Sequence, residues 1–375
     1  MMNSSVSCLS LSRCFQSPFI ADNNRFKLFS SSFRFSFYPI LYSQRLDTIQ
    51  ISHCKFGNFL SSCLHISQNN MFYGKIYLKN WDFSLIGGCD IINCIFDSCK
   101  SQKDGGGLYF NDLNSNFSVI KCLFVNCSCS EFGGSYCIRG KFISVNRTCS
   151  NRCYHTVIDN YINGGGGFLY TNFQANGDFN VITECSPLDI DSGHCCFAFF
   201  NGKQQTTNTN VSKCHGYTFS GYFHYLSVHA VCKYSSFDNF KDCYNSLMVY
   251  YTNTATFDYC NLVNNSVSKG ALYSDSAPIA VTNFCFFGNT QDTFLQNGGA
   301  ITLSYCYSSL ASGFNMMNNG LGNSFGHVSY SPHVYPYLEN VFCNAEFFKN
   351  LLLPTNNKKM SINIQGNLLV ILLNQ

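Results

Sequence analysis

Short apolar runs that end in cysteine recur along the chain. They are ISHC closing at Cys54, IINC at Cys94, VIKC at Cys122, ITEC at Cys185 and VSKC at Cys214, with FDYC at Cys260 and TNFC at Cys285 as more divergent members. Several continue alike: CKFGNF from Cys54, CIFDSC from Cys94, CLFVNC from Cys122, CNLVNN from Cys260 and CFFGN from Cys285. The shared core is an aromatic residue or leucine, two variable residues, then Cys or Asn. Phe96/Cys99, Phe124/Cys127, Leu262/Asn265 and Phe286/Asn289 all fit it. A polar stretch follows, and then glycines open into a short apolar segment, as in GGGLYF at 105–110, GGSY at 133–136, GGGGFLY at 164–170, KGALY at 269–273 and GGAITL at 298–303.

The spacing turns these motifs into a repeat. Gly106 and Gly134 stand 28 residues apart, as do Cys94 and Cys122, Phe96 and Phe124, and Cys99 and Cys127; Leu262 to Phe286 is 24. Between about 140 and 235 the repeats are ragged. A period in the twenties, built of short strands with no helical pattern between them, predicts an all-β solenoid, a parallel β-helix. Each period is then one rung, and rungs stack at the ~4.8 Å strand spacing, so equivalent residues lie above one another. Roughly ten rungs between 48 and 310 give a rod of ~45–50 Å. The Phe/Leu positions point inward, and the Cys and Asn positions form ladders along a corner. The paired glycines (Gly106, Gly134, Gly166, Gly270 and Gly299) are expected to supply φ > 0 at corners where a side chain would clash. Residues 1–47 are expected as an N-terminal cap or irregular segment, with SSFRFSFYPI at 31–40 an incomplete first rung. Residues 311–375 are expected as a closing segment and irregular tail.

Composition agrees with this and narrows the function. The chain has 375 residues with 37 Phe and 23 Tyr against one Trp, a mix that suits strands better than helices. Its net charge of +3, with no Lys/Arg stripe, excludes a nucleic-acid partner as the reading. The 23 cysteines are an odd number, so a monomer keeps at least one thiol. They point either to an oxidising compartment or to a small hydrophobe accumulated for packing. Asn3, Asn116, Asn126, Asn146, Asn210 and Asn264 each begin N-x-S/T. The N-terminus lacks the apolar core of a secretory signal, and LLVILL at 368–373 is far short of the ~18 residues of a span.

Taken in order, GGAI at 298–301 with FFGN at 286–289, and GGGL, GGGF and KGAL beside them, resemble the repeats of chlamydial polymorphic membrane proteins. The Cys-for-Asn replacements in FDSC and FVNC resemble most the trichomonad-type protist versions, and YPYLENVFCNAEFFKN is similar to the segment that closes the helix there. The resemblance spans residues 50 to 305. It implies a right-handed parallel β-helix of pectin-lyase-like type, on the cell surface or extracellular, with an adhesin-like role. A surface location would require more chain at one end or both.

Sharper chemistries are weighed against that reading. Cys94/Cys99 and Cys122/Cys127 are C-x4-C pairs and Cys149/Cys153 is C-x3-C, without the C-x2-C or His-pair spacing of a zinc site. Stacked ladders are the expectation, inter-rung disulfides and a metal site the alternatives. The glycine runs lack the lysine of a phosphate loop. Because parallel β-helices host polysaccharide lyases and hydrolases, Asp189, Asp191 and His194 in LDIDSGHC are the local candidates for two-carboxylate chemistry. No second acidic cluster accompanies them. His224 and His229 are read as strand residues on opposite faces. The expectation is a non-catalytic scaffold without cofactor or metal, presenting insertions near 140–165 and 186–210 to a host or cell-surface protein or carbohydrate. A lyase or hydrolase, and a truncated family member without its own function, are the alternatives.

Overall fold

The computed structural model describes residues 3–310 apart from 15–18, 23–24, 37, 46–47, 68–87, 157–163, 186–194, 217–218, 242 and 292, together with 315–318, 324–327, 361–363 and 368–370. The described residues form a parallel β-solenoid of three strand columns, and none of them is helical. In the first column Thr48–Ser52, Gly88–Ile92 and the C-terminal half of Leu108–Ile120 pair in parallel, and the pairing continues through Ile301–Ser308. The second column stacks Lys55–Phe59, Ile95–Asp97 and Leu123–Val125 and runs on to Cys285–Phe287. The third stacks Phe19–Asp22, Leu41–Arg45, Leu64–Ser67 and the N-terminal half of Leu108–Ile120, and it runs on through Thr293–Asn297 to Asn315–Asn318.

Each rung turns on single left-handed residues. His53, Asn93 and Lys121 have φ of 54°, 54° and 52°, and each stands just before Cys54, Cys94 or Cys122. Asn58, Ser98 and Asn126 do the same at the second corner. The ladder between rungs does not break there. Asn93 N–H donates to Ile120 O at 3.0 Å and Leu123 N–H to Cys94 O at 2.9 Å, so corner amides are satisfied by the next rung. That continuing ladder offsets the ~1 kcal/mol order of strain of a non-glycine left-handed residue.

The residue after each turn points inward, and its chemistry explains the cysteines. Cys54, Cys94, Cys122 and Cys260 each donate S–H to the carbonyl two residues back, at 3.2, 3.3, 3.4 and 3.4 Å. Where cysteine is missing, a hydroxyl takes over: Thr209 donates to Thr207 O at 3.0 Å and Ser235 to Lys233 O at 2.9 Å. Asn180 bridges instead to the neighbouring rung, donating to Val145 O at 2.7 Å and accepting from Thr148. Thiol, hydroxyl and amide are interchangeable at these rungs because each is a small buried donor, while Leu9 and Phe284 fill the position with an apolar side chain. Burial pushes the thiols of Cys54, Cys94, Cys99 and Cys260 well above their ordinary pKa.

Inside, the aromatic residues stack as the repeat predicts. Phe33, Phe56, Phe96 and Phe124 lie ring over ring at 5.5, 5.0 and 4.8 Å, and Leu262 pairs with Phe286 further along the same column. Asn265 and Asn289 form an amide ladder at the second corner, Nδ2 of one donating to Oδ1 of the other at 3.1 Å.

Several sequence expectations are corrected. Cys185 and Cys214 follow second-column strands, Val181–Thr183 and Asn210–Ser212, so they stack with Cys99 and Cys127 rather than with Cys94 and Cys122. Cys285 begins a second-column strand, and Phe284 takes the corner. In the ragged region between 140 and 235 the second column keeps its register, with Cys149, Val181, Asn210 and Ser236 stacked in order. Its irregularity lies in register shifts of the neighbouring pairings, at Gly140/Phe142, Gly164/Gly167 and Phe219/Tyr222, and in which donor fills each corner.

The glycine pairs divide two jobs. The positive φ falls on Gly105, Gly133 and Gly298, one position before Gly106, Gly134 and Gly299. At Gly106 a Cβ would sit 2.1 Å from Gly134 O, and at Gly299 2.2 Å from Ala277 O, so the second glycine is there for close approach. Gly166 and Gly270 lie within strands, Gly164–Asp178 and Val267–Asp275, and not at a left-handed turn. GGAI and GGGL are not equivalent either. Ile301 pairs in the first column with Ile279, while Leu108 pairs in the third with Leu64.

The first residues are already solenoid. Asn3–Ser7 pairs in parallel with Arg25–Phe29, which pairs with Thr48–Ser52. On the outer side of that edge, Ser361–Asn363 and Leu368–Val370 pair antiparallel with Asn3–Ser7 and Phe19–Asp22, supplying partners to its backbone groups.

Candidate functional site

In a strand, inward and outward side chains alternate, so the outer face is written between the core letters. In the first column Cys89, Phe117, Ile143 and Ala175 point inward and are buried. Their neighbours form two outward rows. One runs Asp90, Ser118, Ser144 and Asn176, and the other Gly88, Asn116, Phe142 and Gln174. The pairing slips between Asp112 and Asn116 and again between Gly140 and Phe142, where each strand bends out of the third column into the first. Across these rungs lies an open groove of about 220 Å³.

The groove is lined by amides and hydroxyls with one carboxylate and one aromatic wall. Gln174 Nε2 donates to Asn176 Oδ1 at 2.9 Å, and Asn146 Nδ2 to Ser144 Oγ at 2.9 Å. These bonds pre-orient the row while leaving further donors and acceptors for a ligand. Partial burial raises the Asp90 carboxyl pKa. The wall is Phe142, 38% exposed and backed by Phe173 with ring centroids 4.7 Å apart, so ring surface remains available. Gly88 supplies no side chain, which keeps that end of the groove open.

A second, larger concavity of about 580 Å³ runs along the second corner. Its lining includes the left-handed residues Phe35, Asn58, Ser98 and Asn126, with Leu60, Lys100 and Tyr154. The third column carries an outward aromatic ladder, Phe200 to Tyr225 at 5.2 Å and Tyr225 to Tyr250 at 5.5 Å. Near its start Asp104 accepts from Arg139 at 3.2 Å, and the guanidinium lies 5.8 Å from both Phe132 and Phe168. The first-column groove is the surface that sets amide and hydroxyl side chains of successive rungs beside an exposed ring.

The candidates read from the sequence fall elsewhere. Asp189, Asp191 and His194 lie outside the described residues. Of the segments expected to present loops, Tyr136–Asn146, Cys149–Asn151, Cys195–Phe200 and Lys203–Thr207 belong to rungs, while 157–163 and 186–194 lie outside the described residues. The corner thiols run in single file, a line rather than the tetrahedron that zinc requires. Cys149, in the outward row Ile95–Leu123–Cys149, is disulfide-bonded. Of the sequons, Asn116, Asn126 and Asn264 are exposed while Asn210 is buried.

His224 and His229 do not share a strand. His224 is buried in Phe219–Tyr225, against Phe199 at 5.7 Å and bonded through Nδ1 to Gln204 Oε1. His229 is exposed in His229–Lys233, beyond the left-handed Leu226. Burial pulls the His224 pKa down to about 3. For His65, burial first and the Lys103 charge second lower it to about 4. A folded pKa below the unfolded value of ~6.5 means stability is complete above that pH and is lost as pH falls toward the folded pKa. His224 alone is expected to cost roughly 3 kcal/mol by pH 4. Urea midpoints at pH 7 and pH 4 should show a smaller drop in His224→Gln than in the wild type; equal drops would refute this assignment.

None of the groove residues belongs to the cysteine motif. The signal that marks them is their position one residue to either side of the inward apolar residues, which register alone reveals. No protein-family model matches the chain, and no curated protein and no solved structure matches it.

Proposed function

We propose that the protein is a non-catalytic surface scaffold, adhesin-like, whose first-column groove binds an extended carbohydrate lying along the solenoid axis. The observation that carries this is the pair of rows running from Asp90 to Asn176 and from Asn116 to Gln174 beside the Phe142/Phe173 wall. Amides and hydroxyls match sugar hydroxyls as donors and acceptors, and an exposed ring matches the apolar face of a sugar ring. Rows spaced at ~4.8 Å set a polar side chain at each successive rung, which suits an extended ligand better than a compact one. Right-handed winding is the sense that right-twisted parallel strands favour, and a pectin-lyase-like helix is the form it takes. The GGAI and FFGN repeats support a cell-surface or extracellular setting by resemblance.

Binding to a panel of immobilised and soluble oligosaccharides tests this. Gln174→Ala with Asn176→Ala removes two bonding groups worth ~1 kcal/mol each and is expected to weaken binding by ~10-fold or more. Phe142→Ala should act similarly. Retained affinity in both variants, or no bound glycan in the panel, refutes the groove as the site.

The Asp90 carboxyl, raised by burial within the groove, favours a second reading, a polysaccharide lyase or hydrolase. Appearance of reducing ends or unsaturated products, abolished by Asp90→Asn, would replace binding with catalysis.

A further inference from the structure

The thiols of the second corner form a file, Cys99, Cys127, Cys153, Cys185 and Cys214, all buried. Their shared habit is to donate to a carbonyl two residues back, at 3.5 Å for Cys99 and Cys127 and 3.4 Å for Cys153. Cys63 stands outside that repeat. It precedes the third-column strand Leu64–Ser67, and its sulfur reaches across to the next rung, 2.9 Å from Cys99 Sγ. Both residues are fully buried, and the backbone around them is fixed: Cys63 N–H donates to Gly107 O at 3.0 Å and Lys100 N–H to Phe59 O at 2.7 Å. The sulfurs are therefore held less than ~1 Å beyond the S–S bond length of about 2.0 Å.

We infer that Cys63 and Cys99 form an inter-rung disulfide when the chain meets a small-molecule disulfide, and remain a thiol pair without one. One cysteine, as thiolate, attacks the R–S–S–R reagent, forming a mixed disulfide and releasing the first R–S⁻. The second thiolate then displaces the other R–S⁻ from the protein sulfur. Both leaving thiolates take up the protons given up by the cysteines, so two cysteine thiols are oxidised and one R–S–S–R is reduced to two R–SH. The exchange belongs to folding, before the rungs close. In the folded core both sulfurs are inaccessible, and burial disfavours the thiolate of each. The bond closes a loop of 36 residues and ties the third column of one rung to the second corner of the next.

The test is to refold the full chain with oxidised glutathione or with dithiothreitol, alkylate remaining thiols in denaturant, digest without reduction and map linked peptides. The expected result is a Cys63–Cys99 peptide pair in the oxidised sample only, with Tm higher by roughly 5 °C than in the reduced one. Cys63→Ala and Cys99→Ser, the latter keeping a corner donor, should each lose the pair and reduce the redox dependence of Tm to what the Cys149 disulfide contributes. Complete alkylation of both cysteines after oxidative refolding, or Cys99 linked to Cys127 in place of Cys63, overturns the inference.

Discussion

Asn265→Ala is expected to destabilise the solenoid by roughly 3–4 kcal/mol, read as the shift in urea unfolding followed by far-UV circular dichroism. The Asn265 carboxamide is buried and spans two rung interfaces. Its Oδ1 accepts from Phe240 N–H at 2.8 Å, and its Nδ2 donates to Phe237 O at 3.1 Å and to Asn289 Oδ1 at 3.1 Å. Alanine leaves the Phe240 N–H and the Phe237 carbonyl buried without these partners, at about 1–3 kcal/mol for each. The chain itself suggests the control. At the same corner Cys185 accepts from Cys153 N–H at 3.4 Å and donates to Ser150 O at 3.4 Å, so a thiol performs both tasks more weakly. Asn265→Cys should therefore fall between wild type and alanine. An alanine variant within ~1 kcal/mol of wild type would show that the amide ladder does not hold this corner.

Phe96→Ala carries the other large effect, about 3–5 kcal/mol. The ring is fully buried and sandwiched at 5.0 Å by Phe56 and 4.8 Å by Phe124, with interplanar angles of 10° and 7°. Alanine removes the apolar burial, leaves a void between two rings and ends the stack on both sides. Phe96→Leu should cost about 1–2 kcal/mol, because Ile182, Val211 and Leu262 fill the same inward position in other rungs. Since each rung contacts only its neighbours, the damage should stay local. Hydrogen exchange should accelerate first in Lys55–Phe59 and Leu123–Val125, which flank the site. Uniform acceleration along the rod would contradict a nearest-neighbour solenoid.

The positions behind both predictions were legible because identical letters recur at a fixed spacing. Phe96 above Phe124 and Asn265 above Asn289 follow from counting once a parallel solenoid is accepted. Corner assignment was less legible. The first corner accepts Cys, Thr, Asn and Ser, as at Cys122, Thr148, Asn180 and Ser235, so an alignment on cysteine drops rungs and draws in Cys185 and Cys214 from the other corner. At most rungs the shared property is a small buried donor, which several residues have. The groove was not legible at all. Asp90, Ser118, Ser144 and Asn176 share no letter pattern, and their convergence depends on which strand faces which and where the register slips.

The order of residues was enough to specify short stacked strands, the inward Phe and Leu positions, and the recurrence of cysteine in place of asparagine. A repeat of period near one rung admits few other ways to bury its apolar positions. The folded arrangement set the phase of each corner, the entry of the described strands before residue 48 into the ladder, the meeting of Cys63 with Cys99 and the outer groove. Those depend on contacts between residues tens of positions apart, where loop length varies and a one-residue slip exchanges inside for outside.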